Sequence, residues 1–97
     1  MHTIKNIELN DSLILITFVQ LWDQDDIEQL AQMVLAKIAN HQLLETVIGA
    51  DRQYYRIRVN DEYLVLHFES YSNSCWLEAE DQLPVTCLTT INKELSL

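Results

Sequence analysis

Glycine and proline are almost missing from this sequence: Gly49 is the single glycine and Pro84 the single proline. A dinucleotide fingerprint, a P-loop and a nucleophile elbow each need two or more glycines at fixed spacing, so all three are excluded. Basic residues are also scarce, with six Lys+Arg against fifteen Asp+Glu and a net charge of −9. Neutralising phosphates takes clustered lysine and arginine, so nucleic acid is not expected as a partner. The same charge favours solubility and attraction to basic partners. The longest apolar run, Leu13–Val19, is broken by Thr17 and far too short to span a bilayer. Met1–Leu21 carries Glu8 and Asp11 and has no basic segment before an apolar core, which predicts no signal peptide. Cys75 and Cys87 form no CxxC and have no histidine at ligand spacing. They read as reduced thiols of a cytoplasmic protein, with neither a metal site nor a cofactor expected.

What the sequence does have is enough apolar material for a core. It runs to 97 residues, 48% of them hydrophobic. Residues 1–97 fit one domain, and surface scaling has about two-thirds of the chain's surface buried on folding.

Ile4–Leu9 and Leu13–Phe18 are β-rich runs, and Asn10-Asp11-Ser12 between them reads as a three-residue hairpin loop. That register places Ile7 and Leu9 with Leu13 and Leu15, and turns Ile14, Ile16 and Phe18 to the opposite face with Ile4. Asp23–Asn40 is expected to be a helix. Asp23 can cap it with Asp26 three residues on, and Trp22 with Ile27 can form a hydrophobic staple. Ile27, Leu30, Ala31, Val34 and Ile38 make one apolar stripe. A meander follows: Tyr54–Val59, the type I′ turn candidate Asn60-Asp61, Glu62–Glu69, the polar turn 70–73, and Ser74–Glu80. In the tail, Pro84, Leu88, Ile91 and Leu95 have helical spacing, although Val85–Thr90 is also compatible with an edge strand. The fold class is α+β: a five-stranded antiparallel sheet in ββαβββα order, with two helices packed on one face.

Alternation places Tyr55, Ile57, Val59, Leu64, Leu66, Phe68, Cys75, Leu77 and Ala79 toward the helices. The other face then carries three cross-strand rows: Tyr54–His67–Trp76, Arg56–Val65–Glu78 and Arg58–Tyr63–Glu80. Ile14, Ile16 and Phe18 are expected to add to it. Tyrosine, tryptophan and arginine are the residues enriched at interface hot spots, which makes these nine residues the candidate partner or dimer face. A plainer reading has the same pairs stabilising a solvated sheet.

Candidate chemistry is thin. His67 with Glu69, Glu78 and Glu80 is the one cluster suited to proton transfer, with carboxylates expected to raise the imidazole pKa. A flat sheet offers no evident pocket, and one histidine is a poor zinc site. Asp23, Asp25, Asp26 and Glu28 lack the spacing and glycine of a calcium loop and read as helix-start acids. Cys75 faces inward and His67 outward, so no Cys–His nucleophile is expected. Asp51 and Arg52 are expected to organise the turn after Gly49-Ala50.

The stretch Gly49-Ala50-Asp51-Arg52, the aromatic hairpin ending Leu66-His67-Phe68-Glu69, and Ser74-Cys75-Trp76-Leu77-Glu78 resemble a family of small bacterial proteins. That family, of roughly hundred-residue chains, is classed as a domain of unknown function. The resemblance implies a stand-alone accessory protein and carries over no activity, cofactor or catalytic residue.

The expected function is a non-enzymatic protein–protein interaction or homodimerising module that uses the outer sheet face. One alternative is an acidic inhibitor or immunity-type protein that captures a basic partner, with the helix-start acids, Asp61 and Glu62 as its residues. A more distant one is a small-ligand binder or enzyme centred on His67.

Overall fold

The computed structural model describes residues 2–82 and 85–97, which leaves Pro84 outside the described residues. Eight principal elements follow one another: β1 (Ile4–Asn10), β2 (Leu13–Phe18), α1 (Ile27–Ala36), β3 (His41–Ile48), β4 (Arg52–Val59), β5 (Glu62–Glu69), β6 (Ser74–Ala79) and α2 (Leu88–Leu95). The sheet is antiparallel and open, in the order β1-β2-β6-β5-β4-β3. It has six strands rather than five. The additional strand, β3, occupies His41–Ile48, and the element order is ββαββββα.

The β4–β5 hairpin turns on Asn60 and Asp61 with φ of 53° and 78°, the double left-handed geometry that a type I′ turn requires. Its pairing runs from Arg52 opposite Glu69 to Val59 opposite Glu62 without a break. The turn into β4 is tighter. Gly49 N–H donates to the Arg52 carbonyl oxygen at 2.7 Å, and a Cβ on Gly49 would lie 3.0 Å from that same oxygen. Close backbone approach, not a positive φ, is what this glycine supplies.

The first hairpin differs from expectation in a way that changes a face. Asn10 pairs with Leu13, so the loop is the two residues Asp11–Ser12, not three. Side-chain direction has a period of two, and one residue fewer in the turn reverses parity across the hairpin. Ile7 therefore pairs with Ile16 and Leu9 with Ile14. A register shift at Lys5 brings Ile4 opposite Phe18. Ile14, Ile16 and Phe18 are buried in the core and do not join the outer face; Leu13 and Leu15 lie there instead.

The helix expected from Asp23 opens as a 3-10 turn, and α1 itself starts at Ile27. Asp23 accepts from the Asp25 N–H at 2.9 Å, and Asp26 accepts from the Asp23 N–H at 3.0 Å, which closes a capping box over a 3-10 turn at Gln24–Asp26. The helix ends at Ala36, before the expected Asn40. Lys37 and Ile38 tighten into bonds to Val34 and Leu35, and Asn40 leaves in the left-handed region at φ 59°. Val85–Cys87 is not strand, and α2 buries Leu88, Ile91 and Leu95.

One apolar cluster unites Ile27, Leu30, Val34 and Ile38 with Ile14, Ile57, Leu66, Phe68 and Leu77 of the sheet and Ile91 and Leu95 of α2. Both helices thus feed a single core on one side of the sheet. Trp22 meets Phe68 edge-on at 5.7 Å, and its backbone is held by Asn73, which accepts from Trp22 N–H and donates to its carbonyl. Burying each such large apolar side chain contributes about 1.5–3 kcal/mol.

Candidate functional site

Strand pairing builds the outer face residue by residue. Leu15 pairs with Trp76, Trp76 with His67, His67 with Tyr54, and Tyr54 with Val47. These five residues form one row across five strands. The adjacent row runs Leu13, Glu78, Val65, Arg56 and Glu45. A third pairs Tyr63 with Arg58 and Gln42. Of the residues singled out from the sequence, the structure brings Tyr54, Arg56, Val65, His67, Trp76, Glu78 and Glu80 together. Arg58 and Tyr63 stand at the rim, where Tyr63 is exposed.

In the central row His67 and Trp76 stack at 4.7 Å with planes 10° apart, and Tyr54 tilts against His67 at 5.8 Å. Ring stacking of this kind locks side chains that would otherwise lose entropy on docking. The charged row beside it is tied down as well. Arg56 donates to both oxygens of Glu80, at 2.9 and 3.1 Å, and to Glu45 at 3.1 Å. Glu80, expected beside Arg58, is instead Arg56's partner. The carboxylates push the Arg56 pKa up further, so it stays charged at any working pH. Val65 sits on this face beside the ion pairs and is only 8% exposed, although no helix covers it. The long charged side chains account for that by lying across the sheet.

His67 Nε2 lies 3.1 Å from Glu78 Oε1. The neighbouring carboxylate was expected to raise its pKa; the net shift is downward, because burial beside Trp76 and Tyr54 disfavours the imidazolium more than Glu78 favours it. An open depression of about 410 Å³ lies here, lined by Tyr54, Arg56, Val65, His67 and Glu78 among others. It is a shallow concavity between fixed side chains rather than a water-excluding pocket.

Elsewhere the candidate chemistry resolves into structure. Cys75 is buried and its thiol pushed well up by desolvation; Cys87 is pushed up to about 11, by burial first and then by Glu62. Neither thiol is poised to react. Among the described residues no group of three or more His, Cys, Asp or Glu side chains converges on a metal position. Asp23 and Asp26 are engaged in the capping box of the 3-10 turn that leads into α1. Glu62, read as a charge available to a partner, turns back to accept from Thr86 and Cys87 at the start of α2. Arg52 pairs with Glu69 at 2.8 Å, and the Asp51 carbonyl accepts from Ser70.

Sequence reasoning missed Leu13, Leu15, Glu45 and Val47 on this face. Thr17 held the clue for the first two. It shares their parity, and a polar residue marks the solvent side of an otherwise doubly apolar strand. Among the described residues no helix is long and apolar enough to cross a membrane.

Comparison with curated proteins and comparison with solved structures each give no match. A family model matches residues 3–91, the whole of the sheet and the first half of α2. The chain belongs to the family described as "Protein of unknown function (DUF3630)".

Proposed function

We propose that the protein is a non-enzymatic interaction module that docks another protein, or a second copy of itself, through the outer face of its sheet. The observation that carries this reading is the row Leu15–Trp76–His67–Tyr54–Val47, laid across the face that neither helix covers. Its rings are already stacked, so little side-chain freedom remains to be lost on docking. The flanking row holds both signs of charge at fixed positions, with Arg56 between Glu45 and Glu80, which suits register selection at an interface. Two-fold self-association would present each row to its own copy, as isologous dimers do.

Light scattering coupled to size exclusion, followed by capture with an immobilised chain, tests this reading. The Trp76→Arg variant should keep its far-UV circular dichroism and lose the assembly or the captured partner. Unchanged assembly in a folded Trp76→Arg protein refutes the use of this face.

A further inference from the structure

The sheet ends at β3, whose far edge pairs with no strand among the described residues. Its backbone directions follow from the turn. Gly49 N–H bonds to Arg52, and the register continues Ile48 with Gln53 and Val47 with Tyr54. Bonded and non-bonded pairs alternate along an antiparallel ladder. Val47 therefore directs its N–H and C=O toward β4, whereas Thr46 and Ile48 direct theirs outward into the free edge.

The side chains at this edge are as unguarded as the backbone. Natural edges are blunted by lysine, proline or a bulge. The opposite edge, β1, carries Lys5 at its register shift. In β3 the register shift lies between Leu43 and Glu45, and the stretch after it, Glu45–Ile48, pairs regularly and holds no lysine or proline. Ile48 is 69% exposed and Leu43 49%. Both lie on the helix side, where a groove of about 270 Å³ opens between β3 and α1, with Ala31, Leu35 and Tyr55 on its other walls. Glu28 also lines it.

We infer that the Thr46–Ile48 edge of β3 is a strand-addition site for an extended segment of a basic partner protein. The segment bonds to the outward backbone groups of Thr46 and Ile48 and seats one apolar side chain in the groove between β3 and α1. Charge selects the partner. The chain carries −9 and Glu28 lines the groove, so lysine or arginine in the added strand is attracted. A second copy would bring its own −9 to the same edge. This surface is separate from the outer face, and its test does not depend on that face being an interface.

Fluorescence anisotropy with a labelled peptide alternating valine and lysine is the direct probe. Two control peptides replace a central valine with proline, or every lysine with glutamate. The alternating peptide should bind, and both controls should bind about tenfold more weakly or worse, because each removes one of the two recognition terms. Ile48→Ser should weaken binding by about tenfold at unchanged near-UV circular dichroism. Thr46→Pro, which removes an outward N–H, should do the same, and Ile48→Ser decides the matter if the proline variant unfolds. Hydrogen exchange at the amides of Thr46 and Ile48 should slow in the complex. No binding at millimolar peptide, equal binding of the proline peptide, full affinity in a folded Ile48→Ser protein, or protection at strands other than β3 overturns the proposal. A doubled mass in light scattering that Ile48→Ser abolishes overturns it in favour of self-pairing.

Discussion

Replacing Glu62 with alanine should loosen the start of α2. The Glu62 Oε1 accepts from Thr86 N–H at 3.1 Å, from the Thr86 hydroxyl at 3.1 Å and from Cys87 N–H at 3.0 Å, and Oε2 lies 2.9 Å from the Thr86 N–H. Cys87, at the N-cap, makes no side-chain cap bond of its own. The carboxylate on β5 therefore acts as a capping acceptor, supplied from a distant part of the chain, for Thr86 and Cys87 on the turn that leads into α2. Losing a cap costs about 0.5–2 kcal/mol, and hydrogen bonds to charged groups fall at about 1.5–3 kcal/mol. Solvent reaches this carboxylate and screens it, which places Glu62→Ala at about 1–2 kcal/mol. For a domain of this size the melting temperature should fall by roughly 4–16 °C. The same contacts, the Thr86 N–H first, hold the Glu62 carboxyl below its ordinary range. On acidification the unfolded chain takes up this proton before the folded one does. The contribution is therefore complete above the unfolded value of about 4.3 and disappears as pH falls through the lower folded value. Urea melts of wild type and Glu62→Ala from pH 7 down to pH 3 read both effects, and Glu62→Gln, which keeps one acceptor oxygen, should fall between them. A difference at pH 7 below about 0.5 kcal/mol, the scatter of ordinary surface substitutions, would refute the cap. So would a difference that does not shrink in acid.

Three further outcomes follow from the fold. Asp61→Gly should stabilise the protein by about 0.5–1 kcal/mol in denaturant melts, because Asp61 holds φ 78° in a type I′ turn and glycine adopts that region without strain. Leu15→Lys should leave the fold intact while Ile14→Lys abolishes it by circular dichroism, since the two adjacent residues point to opposite faces. An NMR titration should place the His67 imidazole below its ordinary 6.5, because burial outweighs the attraction of Glu78. The unfolded chain then binds that proton first, so stability should begin to fall as pH drops below about 6.5, and His67→Gln should remove that part of the loss.

Much of the meander was legible because its turns fix parity. Asn60-Asp61 is an even turn between two clean alternations, and it carried the β4–β5 pairing, the inward core and the aromatic row with it. The capping box ahead of α1 was legible for the same reason: Asp23 and Asp26 act over three residues. The failures lie where local chemistry is silent. In β2 only Thr17 breaks the apolar character of the outward face, so Leu13 and Leu15 look almost as inward as Ile14 and Ile16, and the neighbour β6 is too distant in sequence for a turn to set parity. β3 reads His-Gln-Leu-Leu-Glu-Thr-Val-Ile, with exposed residues on both faces and a register shift in its middle. An edge strand with little to bury has no reason to alternate. The candidate face was thus identified on β4–β6 and incomplete at both ends.

The seam between β2 and β6 bears on how the chain is made. Ile16 pairs with Cys75, so the partner of an early strand is synthesised 59 residues later. At about 5–20 residues per second, roughly 3–12 s pass before β6 exists. During that interval the β1–β2 hairpin has an open flank, and α2, the helix that packs against β1 and β2, is made later still. Translation speed between Phe18 and Ser74 therefore sets how long that open flank is presented before its partner strand can close it.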